Sequence, residues 1–154
     1  FSKSYAMTGW RIGLVAAPAA IVDRMTKCQE NFNACANAPG QYAGAIALDH
    51  PELCEQLRQV FERRRSILLE GLAGIDGIKS NDPKGAFYVF ADISSFGLSS
   101  VDFCNRLLDE AKVVCIPGSA FGDCGEGFVR IAYTCSDEDL REAIRRIKAF
   151  CEKL

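Results

Sequence analysis

Histidine is nearly missing from this chain, with His50 standing alone among 154 residues. No two cysteines lie three positions apart, although there are eight: Cys28, Cys35, Cys54, Cys104, Cys115, Cys124, Cys135 and Cys151. The two gaps together leave a structural zinc site without ligands at a usable spacing. No apolar run approaches the ~20 residues of a membrane-spanning helix, so no membrane partner is expected. The start lacks the charged and apolar segments of a signal peptide, and none is expected. Basic charge is not in excess either: 18 Lys and Arg face 20 Asp and Glu, for a net charge of −2 and a pI near 5.5. A nucleic-acid partner is not expected on that balance. The scattered cysteines, most of them in apolar periodic segments, read as free thiols acting as small core residues in a reducing cytoplasm.

What is present is an ordinary globular mixture, 49% hydrophobic and 25% charged, in a length that suits one domain. The run "IGLVAA" at 12–17 reads as a short buried strand. Ile21, Val22, Met25, Cys28 and Phe32 are spaced as one face of a helix over 19–32. "NAPG" at 37–40 breaks that pattern, and "QYAGAIAL" reads as a second short helix. A long helix follows, with Pro51 at its first position, Asp49 or His50 as cap, and Leu53, Leu57, Val60, Phe61, Leu68 and Leu72 as its buried stripe. Its "ERRR" run at 62–65 reads as a solvated face. "KGAFYVFADI" at 84–93 alternates as a strand with two apolar faces, which predicts a central position. Ser99 with Asp102, and Ser136 with Asp139, open two further helices. Short strands are expected at 113–117 and 128–133, around a glycine-rich loop at 118–127.

From residue 51 the order is helix, strand, strand, helix, strand, strand, helix. That predicts an α/β (α+β) layer, a small mixed sheet covered by helices. Residues 1–50 stand apart as the tail of a larger domain, with 51–154 as the unit that follows.

Three cations are placed where chemistry is possible. Lys3 becomes a nucleophile only where its surroundings favour the neutral amine, or where it forms a Schiff base with a carbonyl. Arg11 lies eight residues on, so a ligand shared with Lys3 requires the segment to fold back, with Thr8-Gly9 supplying freedom. As the entry to an apolar run, Arg11 needs an anion: a phosphate gripped by its fork, or a protein carboxylate. Arg130 sits in mid-strand between apolar neighbours in "GFVRIAY", either in a buried structural ion pair or as a carboxylate receptor.

Taken together, these residues match a family. "SKSYAMTGWRIG" at 2–13 resembles the lysine motif of the class I/II aminotransferases, pyridoxal-phosphate enzymes of fold type I. "PKGAFYVFADI" at 83–93 and "IPGSAFGDCGEGFVRIAY" at 116–133 resemble strands and a loop of that family's small domain, so the likeness runs the length of the chain. It implies pyridoxal 5'-phosphate as cofactor, Lys3 as the catalytic, cofactor-linked lysine, Arg11 on the cofactor phosphate and Arg130 on the substrate carboxylate. It implies amino acids and 2-oxo acids as substrates, and a homodimer for the full protein.

Family members carry further cofactor ligands upstream of the lysine, and only Phe1 and Ser2 precede Lys3 here. The expectation is therefore the C-terminal portion of an aminotransferase: residues 1–50 from the large cofactor domain, 51–154 the small domain, without turnover of its own. Two alternatives stay open. One is another fold type I enzyme, of acyl-transfer or C–S lyase type. The other is a non-catalytic interaction domain.

Overall fold

Four of the five helices start on residues suited to a first turn, as seen in the computed structural model, which describes all of residues 1–154. The exception, α1 (Ala19–Asn33), follows Pro18 without a side-chain cap. Helix α2 (Ala38–Leu48) is capped by Asn37, whose side chain accepts the Gly40 N–H at 2.7 Å. The expected break at 37–40 is thus the start of a helix: Asn37 caps it and Pro39 needs no bond in its first turn. Asp49 closes α2, and Pro51 opens α3 (Pro51–Ala73). Strands β1 (Lys79–Ser80) and β2 (Tyr88–Asp92) come next, then α4 (Ser100–Ala111), capped by Ser99 through the Asp102 N–H at 3.0 Å. Strands β3 (Ile116–Pro117) and β4 (Phe128–Ala132) precede α5 (Asp137–Cys151), capped by Ser136 through the Asp139 N–H.

The sheet order is β1-β2-β4-β3, so β2 is internal as its two apolar faces predicted. Each of its three pairings is antiparallel, which corrects the expected mixture of strand directions. The reason is in the connections. The crossover through α4 does leave β2 and β3 running the same way, but β4 returns between them after the 118–127 loop and pairs with both.

One face of the sheet is dry. Val89 and Ala91 of β2 and Val129 and Ile131 of β4 join a core with Leu68 and Leu72 of α3, Phe103 and Leu107 of α4, and Leu140 and Ile147 of α5. Burying each such aliphatic side chain is worth about 1.5–3 kcal/mol. Helices α3 and α5 approach closely at Gly71, where a Cβ would lie 2.6 Å from Ile144 Cγ2. The other face, bearing Tyr88, Phe90, Phe128 and Arg130, is only half covered.

The "ERRR" run is not a merely solvated face. Arg63 and Arg64 both donate to the Asp137 carboxylate, at 2.7 and 3.2 Å, tying α3 to the first turn of α5. Arg65 donates to the Pro83 carbonyl at 2.7 Å and pairs with Asp82. The Arg63 hydrogen bond, seconded by Arg64, holds the Asp137 carboxyl below the ordinary range. A depressed carboxylate stabilises the fold above its unfolded pKa, and that contribution disappears as pH falls through the folded value. Asp137→Asn is therefore expected to lower the urea midpoint near neutrality, and to leave a shallower decline in acid than the parent shows.

The chain divides into two compact units, Phe1–Val60 and Phe61–Leu154, and the core just described belongs to the second. In the first, the expected strand at 12–17 is absent: the segment is irregular and largely exposed, having no ladder to join. Helix α1 forms where its periodicity predicted but buries nothing, and Phe32 is 89% exposed. All eight cysteines are free thiols. Cys104, Cys115 and Cys151 are the core residues among them, and burial pushes their thiols up to about 11, 12 and 11. Cys28, Cys35 and Cys124 are exposed instead.

Candidate functional site

The first unit does fold its N-terminal motif back on itself. Tyr5 N–H bonds the Phe1 carbonyl at 3.1 Å, and Thr8 Oγ1 donates to the Ser2 carbonyl at 2.8 Å across six residues. Lys3 is exposed on the resulting turn. The turn does not use Gly9 for its unusual backbone. Ala6 and Arg11 instead take the left-handed conformation, both at φ 53°. Such a conformation costs a non-glycine residue roughly 1–2 kcal/mol, so the surroundings must enforce it. Two features do so. Asn37 donates to the Trp10 carbonyl at 2.7 Å while it caps α2. Gly40 and Gly44, one helical turn apart, leave the surface on which Ile12 rests; a Cβ on either would come within 2.9 Å of an Ile12 methyl.

Arg11 is exposed, not set at the mouth of a buried strand, and its Nη1 donates to the Thr8 carbonyl at 3.1 Å. Beside this turn, a hydrogen bond with the Cys54 thiol, helped by partial burial, raises the Tyr5 phenol above its ordinary pKa. The exposed amine and guanidinium suit pyridoxal phosphate by their chemistry: an amine condenses with an aldehyde, and a guanidinium fork grips a phosphate. A groove of about 330 Å³ along α1, lined by Val15, Val22, Met25, Thr26, Gln29, Glu30 and Ala34, includes neither residue.

The second unit holds Arg130, in register with Phe90 on one side and Ile116 on the other. Of its two readings from sequence, the structural ion pair is not formed within this chain. Its guanidinium carbon lies over two aromatic rings, Tyr88 at 4.4 Å and Phe121 at 4.6 Å, with no carboxylate paired to it. Its Nε is buried without a hydrogen-bond partner. A buried donor left unpaired is costly, so an acceptor reaching Nε would be favoured there.

The rings beside Arg130 are themselves placed by the backbone. Tyr133 N–H bonds the Phe87 carbonyl and Tyr133 Oη donates to the Ala86 carbonyl, both at 3.1 Å. These bonds hold Ala86 at φ 61° and fix the entry of β2, and hence Tyr88. Phe121 ends the turn Gly118–Phe121, between β3 and β4. Sequence reasoning found the three cations but missed Asn37, Tyr88 and Phe121. The Gly40/Gly44 spacing and the aromatics of "GAFYVF" and "GSAFG" were the available signals.

The second unit is thus an α/β unit with an antiparallel sheet that carries a guanidinium fork, a group whose chemistry suits a carboxylate or a phosphate. Comparison with known proteins narrows the class. The chain belongs to the family described as aminotransferase class I and II, whose model matches residues 1–147. It is 45% identical over 155 residues to an aspartate aminotransferase of Pyrococcus horikoshii, covering 99% of this chain and 40% of that protein. It is 44% identical over 151 residues to the aromatic-amino-acid aminotransferase 2 of Thermococcus litoralis, covering 96% and 39%. Among solved structures, the aromatic aminotransferase of Pyrococcus horikoshii superimposes with a TM-score of 0.91 at 43% identity, over 99% of this chain and 41% of that one. The aspartate aminotransferase of Rhizobium meliloti does so with a TM-score of 0.90 at 37% identity, over 99% and 40%. The chain thus spans about 40% of the length of the relatives it matches.

Proposed function

We propose that this chain is the C-terminal portion of an aminotransferase that moves an amino group between an L-amino acid and a 2-oxo acid. In this reading residues 1–50 complete a large cofactor-binding domain and 51–154 form the small domain of a homodimeric, cytoplasmic enzyme. Lys3 Nζ and Arg11 would hold pyridoxal 5'-phosphate by its aldehyde and its phosphate. When bound, that group supplies an electron sink for the pair left when the substrate Cα–H bond breaks. Arg130 binds the substrate α-carboxylate through its N–H edge and so orients the Cα–H bond. Lys3 Nζ, free once the substrate's amine has displaced it, would take the proton from Cα and could return it elsewhere on the reacting framework.

The observation that carries this reading is the state of Arg130: a guanidinium laid over two rings, its Nε buried and unpartnered, with no protein carboxylate to neutralise it. Support for the domain assignment comes from the apolar surface of the first unit, where Leu14 is 68% and Ile46 62% exposed. Such side chains are usually covered in a complete protein.

The test is borohydride reduction with pyridoxal phosphate, followed by mass mapping, on the full-length protein and on the 154-residue chain. Label on Lys3 is expected in the full-length protein, with amino-acid-dependent half-transamination there. The isolated chain is expected to give no sustained turnover with any amino acid. Steady transamination by the chain would refute the assignment of its missing parts, and label on a different lysine would refute the role of Lys3.

A further inference from the structure

We propose that Phe121 is a positioning residue of the Arg130 site: together with Tyr88 it holds the guanidinium so that a planar carboxylate meets its N–H edge. This rests on Arg130 being the carboxylate receptor and adds what makes it one. The Phe121 ring centroid is 4.6 Å from the guanidinium carbon, yet the residue is 54% exposed. Phe121 is not part of the hydrophobic core, and its ring meets the cation and Phe90 instead. The contact is also braced. Phe90 meets Phe121 edge-on at 6.3 Å and stacks on Phe128 at 5.2 Å.

The residue type matters. A polar side chain at 121 would accept hydrogen bonds from Arg130 and compete with the substrate. An aromatic ring attracts the cation through its face while leaving the N–H groups free to donate. The loop keeps the ring in place: Gly118 packs so tightly that a Cβ there would lie 2.1 Å from the Gly125 carbonyl oxygen and 2.9 Å from Phe90 Cζ. The turn carrying Phe121 therefore has little room to drift from Arg130.

The experiment uses the full-length protein loaded with pyridoxal phosphate, and measures kcat and KM separately for an amino acid and for its 2-oxo acid partner. Phe121→Leu keeps apolar bulk and removes the ring face. It is expected to raise both KM values about tenfold, the scale of a partly desolvated cation–π contact, with kcat and the unfolding midpoint little changed. Phe121→Tyr restores the ring and is expected to restore KM. Arg130→Lys in parallel separates the two ideas. If Arg130→Lys raises KM while Phe121→Leu leaves it within about twofold of the parent, the role of Phe121 is overturned and the carboxylate reading stands. A fall in kcat alone in Phe121→Leu overturns it as well. If Arg130→Lys also leaves KM unchanged, the carboxylate reading fails and takes the Phe121 role with it.

Discussion

Arg130→Lys in the full-length protein is expected to lower kcat/KM for an α-amino acid by about 10²-fold to 10³-fold, on the scale of truncating one side of a desolvated charge pair. The charge survives this change, so the loss isolates geometry. Lysine offers a compact ammonium in place of a planar fork, and it cannot accept a carboxylate at two parallel points. Nor can it lie flat on Tyr88 and Phe121, which meet the guanidinium carbon at 4.4 and 4.6 Å. A better hydrated ammonium has reason to leave the half-covered sheet face for solvent. The informative comparison is between an amino acid and the amine that lacks only its carboxylate. The amine should react poorly with the parent and no worse with the variant, so the ratio of their kcat/KM values collapses. An equal loss for both would mean that Arg130 supports the strand rather than the substrate.

The fold was legible wherever a single residue does a local job. Ser99 and Ser136 announce α4 and α5 because a hydroxyl accepting an N–H three positions on is a short-range event. The alternation of β2 and β4 shows because one face of each packs into one core: Val89 and Ala91 lie opposite Ile131 and Val129. Legibility failed where the partner is distant. The 12–17 run reads as a strand by composition, but a strand exists only through the ladder it joins, and this chain offers none. "ERRR" reads as solvated because Asp137 and Asp82 are far along the sequence from α3. Arg130 could be singled out as an odd cation in an apolar strand, but pattern alone left its partner open. Two rings answered, one from the neighbouring strand and one from a loop. Asn37 was hidden for the opposite reason: its turn-like neighbours Pro39 and Gly40 suit the first turn of a helix as well as a break.

Gly118→Ala is expected to be among the most damaging single-methyl changes in the second unit, costing about 3 kcal/mol or more, at the upper end of overpacking effects. The argument does not depend on backbone freedom, since Gly118 is not among the positive-φ glycines. It depends on what surrounds it. A Cβ would lie 2.1 Å from the Gly125 carbonyl oxygen, 2.7 Å from the Phe128 carbonyl oxygen and 2.9 Å from Phe90 Cζ. Two of the three obstacles are backbone, so no rotamer change relieves them. The approach is mutual, because a Cβ on Gly125 would meet the Gly118 carbonyl oxygen at 2.0 Å. The alanine must push apart the two turns that join β3 to β4, and Phe121 travels with the first of them. Gly85→Ala is the matched control: nothing lies within 4 Å of its Cβ position, and it has no positive φ. In the 154-residue chain, thermal unfolding should show a midpoint lower by roughly 6–12 °C for Gly118→Ala and little change for Gly85→Ala. In the full-length protein the same Gly118→Ala change should weaken amino-acid binding as Phe121→Leu does, because it moves the ring that Phe121→Leu removes. A Gly118→Ala variant as stable as the parent would mean that the 118–127 loop yields easily, and that the ring at 121 is held by Arg130 rather than holding it.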